Sequence, residues 1–89
     1  MFNKERFHNQ LALSIGYKLI NDKRFTLEVE DSDDPWVTLK VEGCDDVKFK
    51  ASNKSSEENM NVTPEIKIEI ESIIDATRQA YITTINSQY

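Results

Sequence analysis

Three short segments alternate apolar and polar residues with period two, a pattern that a β-strand buries on one face and an α-helix cannot. Phe25, Leu27 and Val29 oppose Arg24, Thr26, Glu28 and Glu30. Val37, Leu39 and Val41 oppose Trp36, Thr38, Lys40 and Glu42, and Val47, Phe49 and Ala51 oppose Asp46, Lys48 and Lys50. Only Asp31–Pro35 and Gly43–Asp45 separate the segments. Connections that short require antiparallel neighbours, so the segments read as a meander with one wet face and one apolar face.

The apolar face needs a cover, and the flanks supply it. From about Asn3 to Asn21, Phe7, Leu11, Ile15 and Leu19 recur every four residues, and Ala12, Leu13 and Ile20 widen the stripe. Gly16 inside this helix suggests close backbone packing. After the polar stretch 52–61, read as a flexible loop, Thr63-Pro64-Glu65 has the form of a helix start: cap, fixed first residue, acid at the positive end. Ile66, Ile70, Ile73, Ile74, Thr77, Tyr81 and Ile85 then repeat at helical spacing. Residues 66–71 also alternate like a fourth strand, but the cap signal favours helix. The expected fold is α+β, one αβββα domain over residues 1–89, with a three-stranded antiparallel meander and two helices on one face.

Eighty-nine residues bury only about 60% of the unfolded surface, which leaves little room for an enclosed active site. Eleven Lys/Arg against sixteen Asp/Glu give a net charge of -5, which opposes direct binding to nucleic acid or to an anionic membrane. Cys44 is the one cysteine, so no internal disulfide forms and a reducing cytoplasm is expected. No phosphate-cradling glycine loop, Ser/His/Asp set or zinc spacing is present. The expectation is a protein with no catalytic residues, no metal and no cofactor.

What remains is the acidic run Glu28-Val-Glu-Asp-Ser-Asp-Asp-Pro-Trp36. Asp31 and Asp33 have the spacing of calcium ligands, but Pro35 follows and neither the turn glycine nor a closing Glu is in place. As a turn, Asp and Ser cap their own backbone while Pro35 fixes φ, and the carboxylates keep a small protein soluble. As a surface, Glu28, Glu30, Asp31, Asp33 and Asp34 can occupy phosphate sites on a basic, nucleic-acid-binding protein, with Trp36 as the anchor. Glu65, Glu69, Glu71 and Asp75 add acid on the outside of the last helix, interrupted by Lys67 and Arg78. Lys40, Lys48 and Lys50 are expected to pair across the strands with Glu28, Glu30 and Glu42. Tyr17 and Tyr81 are expected at the margins of the core.

The element order resembles the double-stranded RNA-binding domain. That family carries a lysine cluster at the start of its last helix, where this chain reads Thr63-Pro64-Glu65-Ile66-Lys67-Ile68-Glu69, so RNA binding is not implied. Size, charge, element order and the acidic edge Glu28–Asp34 resemble small acidic phage-encoded inhibitors of the anti-CRISPR and anti-restriction kind. That resemblance implies a protein that blocks a nuclease or DNA-binding complex in the host cytoplasm. The helix followed by a meander also resembles secretion-effector chaperones, which implies a homodimer rather than a monomer.

Overall fold

Trp36–Val41 (β2) runs antiparallel between Phe25–Val29 (β1) and Val47–Lys50 (β3), so β1 and β3 are the sheet's edges. The computed structural model describes residues 2–55 and 61–86, and within them the order is helix, three strands, helix, the expected α+β arrangement. The register sets Val29 opposite Val37 and Val37 opposite Phe49, while Leu27 opposes Leu39 and Leu39 opposes Val47. The period-two pattern therefore stacks apolar residues in rows across all three strands. Val37, Leu39, Val47 and Phe49 are wholly removed from water, each worth roughly 1.5–3 kcal/mol. At the edge, Leu27 and Val29 are only half-buried.

Both turns follow from their residues. Between β1 and β2 the Asp34 backbone N–H donates to Ser32 Oγ, and Pro35 is buried behind it. Between β2 and β3 the Cys44 N–H donates to the Val41 carbonyl, with Gly43 at φ +80°. A type II turn needs a positive φ at that third position.

The N-terminal helix covers residues 4–21 in three pieces. Lys4–Leu11 and Tyr17–Asn21 are α-helical, and Ala12–Gly16 between them is a π turn. Asn3 caps the start by accepting from the Arg6 N–H at 3.0 Å. The π turn answers the four-residue spacing of the apolar stripe. In an α-helix each step of four overshoots a full turn by about 40°, so Leu19 would rotate well away from Phe7. One wider turn takes up most of that drift. Phe7, Leu11 and Ile15 are buried and Leu19 packs against them.

The same helix corrects three expectations. Ala12, Leu13 and Ile20 do not widen the buried face, since Leu13 is 80% and Ile20 77% exposed. Tyr17 is not at a core margin but exposed. Gly16 marks no tight approach, because an added Cβ would meet only the Ala12 Cβ at an ordinary 3.5 Å. Ala12, Leu13, Tyr17 and Ile20 are exposed on the flank of the helix turned away from Phe7, Leu11 and Ile15.

The C-terminal helix, Pro64–Asn86, includes residues 66–71, so the strand-like alternation there yields to the helix start. The Thr63 carbonyl accepts from the Lys67 N–H at 3.1 Å, opening the helical ladder just before Pro64. Ile66, Ile70, Ile73, Ile74, Ala80 and Tyr81 join the core, whereas Ile85 lies outside it. The buried Thr77 and Thr84 hydroxyls donate back to the carbonyls of Ile73 and Ala80, both at 2.8 Å. Arg78, expected on the acidic outer side, is instead buried: it donates to the Asn53 carbonyl at 2.7 Å and stacks 5.5 Å from the Phe49 ring centre. Of the stretch 52–61, residues 56–60 lie outside the described residues.

Candidate protein-docking face

Alternation places Glu28, Glu30 and Trp36 together on the sheet face opposite the helices. With Val29, Thr38 and Lys48 they line a shallow hollow of about 220 Å³. Trp36 is half-buried there, directly across the ladder from Lys50. The ammonium groups of Lys48 and Lys50 each lie 5.4 Å from its ring centre, so the indole is flanked by cations and held by their aliphatic stems. Glu28 pairs with Lys40 at 3.3 Å. Of the expected lysine–glutamate pairs, this is the one that forms. Lys48 and Lys50 turn to the indole instead, because the register brings them beside Trp36 and away from β1.

Asp31, Asp33 and Asp34 sit at the end of the sheet and bend toward the helix layer. Asp31 reaches Lys4 of the N-terminal helix at 3.6 Å while staying 90% exposed, a pairing of little energetic weight. Asp34 is committed internally: Ser52 Oγ donates to it at 2.6 Å and Lys50 Nζ at 2.9 Å. Those two hydrogen bonds hold its carboxyl below the usual carboxylate range. On the helix side, burial raises the Tyr81 hydroxyl above its ordinary value, and the carboxylates of Asp34 and Asp33 add to the shift. The side chains of Glu30 and Asp33 make no ion pair among the described residues.

The six residues singled out in the sequence therefore divide by role. Glu28, Glu30 and Trp36 share a face, Asp31 and Asp33 lie in the turn at its end and lean toward the helices, and Asp34 locks the hairpin to the end of β3. Among the described residues, no three His, Cys, Asp or Glu side chains gather where a metal ion could bind, and no helix is long and apolar enough to cross a membrane.

Comparison with protein-family models, with curated proteins and with solved structures finds no match.

One cluster escaped the sequence reading. Asp22 accepts from Arg24 Nε at 2.9 Å and Nη2 at 2.6 Å, and Glu69 accepts from Arg24 Nη2 at 3.0 Å and Lys18 Nζ at 3.2 Å. These contacts tie the end of the N-terminal helix, the start of β1 and the C-terminal helix. The paired Arg24 guanidinium holds the Asp22 carboxyl far below the usual range. The i,i+4 spacing of Lys18 and Asp22 and the nearness of Arg24 could have signalled the local part, whereas Glu69 joins only when the C-terminal helix folds over the sheet.

Proposed function

We propose that the chain is a small acidic binding protein, without catalysis of its own, that docks through its outer sheet face on a basic, nucleic-acid-binding protein in the cytoplasm. The observation that carries this reading is the grouping of Trp36 with Glu28 and Glu30 around one hollow. An aromatic anchor with two glutamates beside it suits a basic surface that otherwise receives phosphates. Glu30 and Asp33 steer the approach, and Trp36 buries its ring against the partner while Lys48 and Lys50 keep it oriented. An inhibitor of a nuclease or DNA-binding complex is the form of activity this surface serves best.

The test immobilises the protein and passes cell lysate over it in rising salt, with duplex DNA as competitor. The expected result is retention of a basic nucleic-acid-binding protein that salt and DNA displace and that Trp36→Ala and Glu30→Lys/Asp33→Lys abolish. Equal retention on wild type and both variants overturns the reading.

A further inference from the structure

The edge strand β1 leaves backbone groups unused. Arg24 and Glu30 bond β2, since the Glu42 N–H donates to the Arg24 carbonyl and the Glu30 N–H to the Trp36 carbonyl. In an antiparallel ladder the intervening odd residues point the other way, so Leu27 and Val29 present N–H and C=O at the free edge. Phe25 presents its carbonyl there, its N–H being taken by Asp22. An edge this regular is a template for another strand, and neither proline nor a bulge interrupts it.

Beside this edge lies an apolar groove of about 260 Å³ between the N-terminal helix and β1, lined in part by Ala12, Gly16, Leu19, Ile20, Leu27 and Val29. The helix surface next to it carries Leu13, Tyr17 and Ile20, each more than three-quarters exposed. The charges on β1 say what covers both. The strand enters through Lys23-Arg24 and leaves through Glu30-Asp31, so its two ends are of opposite sign. A second β1 laid antiparallel across it meets complementary charge at both ends.

We infer that the chain forms a two-fold homodimer through β1, making one continuous six-stranded sheet with the two N-terminal helices packed over the seam. Centring the axis on Leu27 lets Leu27 exchange both hydrogen bonds with its copy, and each Val29 N–H reaches a Phe25 carbonyl. It also sets Lys23 against Asp31, Arg24 against Glu30 and Thr26 against Glu28 of the other copy. Moving the axis to Glu28 satisfies as many backbone groups but brings the two Glu28 carboxylates face to face, which is unfavourable. At the seam, Ala12 and Gly16 leave room for close approach, and Ile20 fills the groove of the neighbour. The dimer leaves Trp36 uncovered, because β2 is the central strand. Glu28 and Glu30 border both surfaces, but Trp36→Ala tests docking without touching the seam, and the dimer doubles the outer face if both hold.

Sedimentation velocity across micromolar concentrations reads the state directly, and a dimer is expected. Ile20→Glu, at a position exposed in the monomer, should raise the dimer dissociation constant by about tenfold or more, because the charge must be desolvated. Lys23→Glu and Asp31→Lys should each weaken the dimer, and the double swap should recover it. In a Cys44→Ser background, a mixture of Thr26→Cys and Glu28→Cys chains should form a disulfide that neither forms alone. A monomer at every concentration overturns the inference. So does a dimer that ignores Ile20→Glu and the charge swap, or one in which the mixture fails to cross-link.

Discussion

Lys50 holds Trp36 and Asp34 at once: its ammonium lies 5.4 Å from the indole centre and donates to the Asp34 carboxylate at 2.9 Å. The acidic turn and the aromatic anchor are thereby one mechanical unit. In the proposed docking mode Asp34 does not face the partner. It fixes the lysine that fixes the tryptophan.

That coupling has a pH signature. Asp34 and Asp22 both hold carboxyl pKa values depressed below the unfolded state's, by Ser52 and Lys50 in one case and by Arg24 in the other. Their stabilisation is present above the unfolded carboxylate range, about pH 4, and is lost as pH falls through the folded-state values. Urea midpoints of the wild type should decline as the solution is acidified below that range. Asp34→Asn and Asp22→Asn should begin lower at neutral pH and decline less. Asp34→Asn should also shift the emission of Trp36, the one tryptophan in the chain. Identical pH slopes in all three proteins would contradict the assignment.

Arg78 should matter more than a helix-surface arginine. Its hydrogen bond to the Asn53 carbonyl pins the chain beyond β3 to the C-terminal helix, and its guanidinium lies over the Phe49 ring. Arg78→Ala should cost about 1.5–3 kcal/mol, the range for a hydrogen bond to a charged group, read as a lower urea midpoint. Arg78→Lys should recover only part of it, because an ammonium cannot stack as a planar guanidinium does.

The π turn at Ala12–Gly16 predicts an asymmetry between deletion and insertion. Removing the exposed Ser14 should let the helix close into regular α form with Leu19 still beneath it. The thermal midpoint should then fall by less than about 4–8 °C, the shift that 1 kcal/mol produces in a domain of this size. Inserting an alanine at the same place should rotate Leu19 off the core and lower the midpoint by more. Equal effects in both directions would argue against the register explanation.

Gly43 is expected to be intolerant in a graded way. At φ +80° a side chain is strained whatever space surrounds it, and nothing lies within 4 Å of an added Cβ. Gly43→Ala should therefore destabilise by about 1 kcal/mol from backbone strain alone, and Gly43→Asn by less. Thermal midpoints of the two variants decide the order.

By itself the sequence determined the strands, their antiparallel order, both hairpins and the start of the last helix. Each of those depends on residues close along the chain: an alternation, a proline after a cap, a glycine where φ must be positive. The grouping of Glu28, Glu30 and Trp36 was legible for the same reason, since period two assigns a face without reference to any other element. What each side chain on that face touches was not. Lys48 and Lys50 choose Trp36 over the glutamates because of a cross-strand register that no local pattern states, and Asp34 is recruited inward by Ser52 from the far end of β3. Helix burial was decided later still. Leu13, Tyr17 and Ile20 are apolar enough for a core and Arg78 charged enough for a surface, yet the packed arrangement reverses them. Burial depends on which flank of a helix its neighbours cover, and only the tertiary structure decides that.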